Sequence, residues 1–350
     1  MKESDLDLKN IDNDPTAASR KKDHINLAFN SQTKKDEIDR RFNYEPIISG
    51  FSRNKVESIP FLGKHLKYPI WISSMTGGTA YASTINKNLA KIAGNYGLGM
   101  GLGSCRGLLT SDEYLADFQV RKYINDQPLY ANLGIAQVEQ IVTRGSIQAI
   151  IDLLDKLEAD GLIVHINPLQ EWMQPEGDRY FDAPVDTIKR LLDDINRPVV
   201  VKEVGQGMGP QSLLELLKLP IAALDFGAHG GTNFSLLELL RNDEERKEAY
   251  GCVAHLGHCA DDMMNHVNRL WEKHKEDFLC PSLIVSGGVK TFLDGYYYVK
   301  KSKLPAVYGQ ASPFLKRAIV SYEEVAQYIE RQVEGLEMAE AFLTLNHEKH

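Results

Sequence analysis

Eight short apolar runs constrain this chain more than any other feature, each closing on small or polar residues and most followed by a segment of helical period. They occupy residues 69–75, 97–103, 128–134, 161–167, 198–204, 222–227, 282–288 and 306–311. Strand and helix repeated eight times predict an α/β fold, a (β/α)8 TIM barrel, because parallel strands covered on both faces read as continuous apolar runs. Helical spacing is clear over 147–157, 185–194 and 211–217. A doubly wound open sheet is the competing fold, but it gathers its site at one switch point, whereas here nearly every run ends in site-like residues. The gap between the sixth and seventh runs is about twice the others, which leaves room for an insertion at about 235–280. The expected organisation is a flexible polar arm over 1–20, the barrel over 21–320 and a helical tail over 321–350.

The 350 residues carry a formal net charge of -8, which argues against a partner held by phosphate neutralisation such as nucleic acid. No apolar stretch approaches the roughly 20 residues of a membrane helix, and the N-terminus is too polar for a secretory signal, so a cytoplasmic protein is expected. Four cysteines are too few for a disulfide framework in a chain of this size. Cys252, His255, His258, Cys259 and His266 cluster, and on a helix Cys252, His255 and Cys259 would share one face. Their spacing matches no recognised zinc set, so the reading is a helix with buried thiols and surface imidazoles.

In a barrel all eight strand ends meet on one face, so their chemistry is read as a set. The fourth run, Gly161-Leu162-Ile163-Val164, closes on His165, Asn167, Gln170 and Glu171, polar groups that packing alone does not explain. The first ends in Ser73-Ser74-Met75-Thr76-Gly77-Gly78, small residues and hydroxyls suited to a flat ligand. The second, Gly97-Leu98-Gly99-Met100-Gly101-Leu102-Gly103, is no dinucleotide fingerprint, since Leu102 stands where the third glycine belongs; Ser104 and Arg106 follow, the latter a candidate anion ligand. Asn132 closes the third run. Lys202 and Glu203 close the fifth, either as a mutual ion pair or with the lysine facing an anionic ligand. The Gly-Gly turns at Gly230-Gly231-Thr232 and Gly287-Gly288, with Ala311-Ser312, suggest backbone amides around a phosphate.

Taken in order, these residues resemble the type 2 isopentenyl-diphosphate isomerases, FMN-dependent enzymes of the barrel class. The similarity runs from about Arg20 to Leu315 and includes Arg20-Lys21 with His24. It implies that Ser74, Met75, Thr76, Ser104, Asn132, Lys202 and Thr232 touch the flavin, and that Gly287, Gly288, Ala311 and Ser312 hold its phosphate. It also implies that Arg20 and Lys21 grip the substrate diphosphate; Arg106, the candidate anion ligand read above, is expected as a further substrate ligand. Gln170 and His165 would then lie at the reacting end and Glu171 on Mg2+. The implied reaction moves a proton between isopentenyl and dimethylallyl diphosphate with reduced flavin as acid/base, and NADPH serves only to reduce it. The partners expected are these diphosphates and further copies of the chain, with no nucleic acid and no membrane span.

The chain departs from the family pattern at Gly227, where serine is usual, and at Ala228-His229, where a basic residue precedes Gly-Gly. It also departs at Lys290 and Ser312, where arginine is common. These departures bear on flavin affinity and redox tuning. An FMN-dependent 2-hydroxy-acid oxidase is the rival enzyme, but His229 lacks the arginine that should follow closely. A flavin- or phosphate-binding barrel without catalysis is the other alternative, against which the intact Gln170-Glu171 pair stands.

Overall fold

A computed structural model describes residues 16–50, 56–74 and 80–346; residues 1–15 of the expected arm lie outside it. The chain divides into two units, Met1–Asn43 with Asn346–His350, and Tyr44–Leu345. In the first, the helix Ala17–Leu27 has no buried residue, and its N-cap Thr16 accepts a bond from the Ser19 hydroxyl at 2.9 Å. Arg41 donates to Asp39 through Nε and Nη2 at 2.9 and 2.7 Å, which holds the Asp39 carboxyl below the usual range. Asn346 N–H donates to the carbonyl of Arg41 at 2.9 Å.

The second unit contains a closed barrel. Its strands are β1 Ile70–Ile72, β2 Gly99–Gly101, β3 Leu129–Gly134, β4 Gly161–Ile166, β5 Val199–Glu203, β6 Ala223–Asp225, β7 Leu283–Ser286 and β8 Ala306–Gln310. Each pairs in parallel with its neighbour in sequence, and β8 returns to β1 through Tyr308 opposite Ile70. All eight fall within the apolar runs. Burial on both faces explains why: every residue of β1, β2, β3, β5, β6, β7 and β8 is buried.

Phe61, Leu66, Trp71, Tyr130, Ile163, Val200, Ala223, Ile284 and Val307 form one core cluster. Most of these residues lie on barrel strands, and fully burying such side chains contributes roughly 1.5–3 kcal/mol each. The second strand is thinned by glycine to make room for an indole, since a Cβ on Gly99 would lie 2.3 Å from Trp71 Cζ3. The antiparallel hairpin of Ile59–Phe61 and Lys64–Leu66 supplies Phe61, which meets the Trp71 ring edge-on at 6.2 Å between centroids.

The covering helices follow the apolar spacing. Pro210–Leu217 starts with proline at its first turn, where the missing N–H costs nothing, and buries Leu213, Leu216 and Leu217. Pro184–Asp194 buries Thr187, Ile188 and Leu191 in the same way. The helical extension beyond Ser321 is Tyr322–Phe342, capped by the Ser321 hydroxyl, which accepts from Glu324 N–H at 3.2 Å. It buries Val325, Tyr328, Ile329, Gln332, Leu336 and Ala339, a stripe of helical period. Between β6 and β7 stand Phe234–Arg241, Glu244–Tyr250, Gly251–His255 and Ala260–His274.

Candidate active site

The carboxyl ends of β1, β5, β6, β7 and β8 enclose a cavity of about 410 Å3. Of the residues expected in the site, Ser74, Lys202, Thr232, Gly287, Gly288, Ala311 and Ser312 line it together. Met75 and Thr76 lie outside the described residues. Thr232 and Ser312 are joined through their hydroxyls at 2.6 Å, so the sixth and eighth strand ends close on each other.

One wall of the cavity is backbone. Gly287 has φ +89°, and a Cβ there would stand 2.0 Å from the Ala228 carbonyl oxygen, so only glycine lets these two turns nest. Among the described residues, the N–H groups of Gly230, Gly231, Gly287 and Gly288 donate to no acceptor in the protein. Such converging amides are suited to an anion. The hydroxyl oxygens of Ser73 and Ser74, which line the same cavity as Lys202, are likewise buried without a partner among the described residues.

Lys202 and Glu203 do not pair with each other. The Lys202 ammonium donates to the Glu203 carbonyl at 2.7 Å, while Glu203 Oε2 accepts from the N–H groups of Gly205, Gln206 and Gly207 at 2.7, 2.6 and 2.9 Å. The carboxylate thus folds the loop after β5. Burial pushes its titration up, and the three amides and Lys202 hold it back. Gly227, with φ +51°, fits against the same strand end: its carbonyl accepts from Gly205 and Gly207, and its N–H donates to Ser286 Oγ at 3.0 Å.

A second polar group surrounds the end of β4. His165 Nδ1 and Asn132 Oδ1 are 2.8 Å apart, and burial together with the Lys202 charge pushes the imidazole down to about 3, so it is neutral near pH 7. Asn167 Nδ2 donates to Gln170 Oε1 at 3.1 Å and to Glu171 Oε1 at 2.8 Å. The other Glu171 oxygen accepts from Asp178 N–H at 2.7 Å. Arg106 pairs with Asp178 at 2.5 Å, and Ser104 Oγ accepts from the Arg106 N–H at 3.5 Å. Arg20 and Lys21 lie on the exposed helix Ala17–Leu27 of the other unit.

Three site groups were not singled out in sequence. Asp225, fully buried at the end of β6, accepts from the Ser286 hydroxyl. Glu238, buried on Phe234–Arg241, accepts from Gln170 Nε2 at 3.3 Å and Gln174 Nε2 at 2.8 Å. Asp178 joins Arg106 to Gln137. Only Asp225 left a signal, a carboxylate inside an apolar run.

The cysteine and histidine cluster is not on one helix. Cys252 and His255 belong to the 3-10 turn Gly251–His255, whereas Cys259 caps Ala260–His274. Both thiols are exposed, contrary to the buried thiols expected, because the chain breaks between the two segments at Leu256 and Gly257. Among the described residues no three His, Cys, Asp or Glu side chains assemble as a metal set.

No protein-family model matches the chain. The isopentenyl-diphosphate delta-isomerase of Rickettsia akari is 35% identical over 331 residues, covering 91% of this chain and 92% of that protein. The protein of the same name from Mycolicibacterium vanbaalenii is 33% identical over 341 residues, covering 92% of each. Among solved structures, the flavin-binding domain of baker's yeast flavocytochrome b2 superposes with a TM-score of 0.58 at 15% identity, covering 85% of this chain and 71% of that one. A mandelate oxidase mutant with a monooxide FMN adduct gives a TM-score of 0.54 at 12% identity, covering 88% of each chain. At that identity the structures share the barrel fold.

Proposed function

This chain belongs to the isopentenyl-diphosphate delta-isomerase family, and from that membership we propose that it interconverts isopentenyl and dimethylallyl diphosphate with FMN and Mg2+. The observation that carries the reading is the cavity lined by four glycine amides, Lys202 and two serine hydroxyls, the amides and hydroxyls having no partner among the described residues. Its volume lies in the range of small-molecule and cofactor sites, about 300–1,000 Å3. The residues fit FMN: Gly230, Gly231, Gly287, Gly288 and Ser312 would take the phosphate, and Ser74, Lys202 and Thr232 the flavin ring.

They also fit magnesium, in a limited way. Each Glu171 oxygen spends one lone pair on Asn167 or Asp178 and keeps another. Magnesium commonly takes one or two carboxylates and completes its octahedron with phosphate oxygens and water, so a single carboxylate suffices beside a diphosphate. Arg106 would supply further positive charge, and the family resemblance assigns the diphosphate to Arg20 and Lys21 as well.

Bound in reduced form, with NADPH as the source of reduction, the flavin supplies the acid/base chemistry for the allylic proton. The protein's share is orientation and charge. The Gln170 amide is fixed at both ends, its oxygen taken by Asn167 and its nitrogen by Glu238, so it presents one face to the substrate. His165 is held neutral, so it can hydrogen-bond at the reacting end without repelling a developing carbocation. Val204, Phe234 and Val289 add apolar wall that limits water.

The test is anaerobic conversion of isopentenyl diphosphate by the purified chain with FMN, NADPH and Mg2+. Turnover that vanishes when FMN or reductant is omitted is the expected result. A chain that binds FMN yet converts nothing would overturn the assignment.

A further inference from the structure

The ends of β3 to β7 carry one buried polar belt. Register places His165 opposite Lys202 and Lys202 opposite Asp225. Asn132 joins the belt through His165, and Ser286 through Asp225. Within it Asp225 is fully buried and its Oδ2 has no partner among the described residues, while Oδ1 takes the Ser286 hydroxyl and the Gly227 N–H, the latter at 3.4 Å. Lys202 uses one of its three N–H donors, on the Glu203 carbonyl, and lines the cavity. A buried ammonium and a buried carboxylate with unused hydrogen-bonding capacity on adjacent strands do not persist independently, because each without the other is an uncompensated charge.

We propose that Asp225 is a positioning residue: its carboxylate is the counter-charge that holds the Lys202 ammonium aimed into the cavity, and Ser286 fixes that carboxylate. The proposal rests on the reading of the cavity as the FMN site, where Lys202 would face the flavin ring. The neighbouring groups are weaker counter-charges than Asp225. On β4, His165 is neutral near pH 7. On β5, the Glu203 carboxylate also acts on Lys202, but its Oε2 is turned to the three loop amides. On β7, Ser286 supplies a hydroxyl that does not titrate there, and the loops beyond add the lysine Lys290 and the imidazole His229, neither an anion. The coupling between Asp225 and Lys202 opposes the burial that pushes the aspartate's titration up.

Two measurements on the full chain test this. The first is a cycle of D225N, K202M and the double variant, followed by urea unfolding without cofactor. Removing both charges should leave the chain more stable than the two single losses added together, by at least about tenfold in the unfolding equilibrium constant. Strict additivity overturns the proposal, as does a double variant that fails to fold when K202M folds. The second is the FMN dissociation constant of the same three variants at pH 7. Without its counter-charge the ammonium is no longer held in place, so D225N should bind FMN roughly tenfold more weakly than the unmodified chain, while adding D225N to K202M should cost little further. If the unmodified chain binds FMN and D225N binds it as tightly, or D225N costs as much without Lys202 as with it, the positioning role fails and the FMN site stands. If the unmodified chain takes up no FMN, both fall.

Discussion

Gly227→Ser, which restores the residue usual in the family, should destabilise this chain. Gly227 has φ +51°, and a Cβ there would lie 1.9 Å from the Glu203 carbonyl oxygen and 2.2 Å from its carbon. A left-handed conformation costs a residue with a Cβ about 1–2 kcal/mol. The overlap is backbone on backbone at the end of β5, where no side chain can swing aside, and overpacking of that kind costs about 1–3 kcal/mol more. The loss is therefore about 2–5 kcal/mol, which at roughly 2–4 °C per kcal/mol lowers the thermal midpoint by about 4 °C or more. The assay is circular dichroism melting of the full chain at pH 7, with Gly227→Ala beside it. Both variants should fall together, because the penalty comes from Cβ and not from the hydroxyl. A serine variant as stable as the unmodified chain would refute the reasoning.

Glu171→Gln should abolish Mg2+-dependent isomerase turnover, by at least about 100-fold, and move the thermal midpoint by only about 2 °C, since glutamine can still accept one of the two bonds; steady-state kinetics against Mg2+ concentration checks this. His165, pushed down to about 3 from 6.5, binds fewer protons folded than unfolded. Its contribution to stability is therefore full above about pH 6.5 and is lost, by of order 1 kcal/mol per unit, as pH falls toward 3. Urea midpoints of His165→Gln should vary less over that window than those of the unmodified chain, and equal slopes would contradict the burial of a neutral imidazole. Cys105 and Cys280 are buried, with thiols pushed up to about 12, whereas Cys252 and Cys259 are exposed. A thiol reagent at about pH 8 should thus titrate two cysteines in the native chain and four in denaturant.

The strands were legible because burial on both faces leaves runs such as Val199-Val200-Val201 with no polar interruption. Seven of the expected site residues share one cavity for a related reason: a residue at the carboxyl end of a barrel strand has few other places to go. Partnerships were harder to read. Lys202 and Glu203 are adjacent in sequence, yet alternation along a strand sends their side chains apart, and the glutamate finds three amides that exist only once the loop after β5 has turned. Glu238 sits in a helix whose pattern is ordinary, and its meeting with Gln170 depends on how the insertion packs. The Cys252 to Cys259 face presupposed one helix, whereas the 3-10 turn ends at His255 and the next helix starts at Ala260.

The hairpin that carries Phe61 has a consequence for traffic. Phe61 meets Trp71 edge to face, Trp71 meets Tyr130 in the same way, and all three belong to one buried cluster with side chains from five other barrel strands, so the barrel interior there is filled. Among the described residues the cavity is reached from the opposite rim, so a resident cofactor and a turning-over substrate would share one doorway. The first molecule to enter would then be the floor for the second. An occupant seated on the glycine amides would have to stay through many cycles, while the smaller molecule arrives and departs above it.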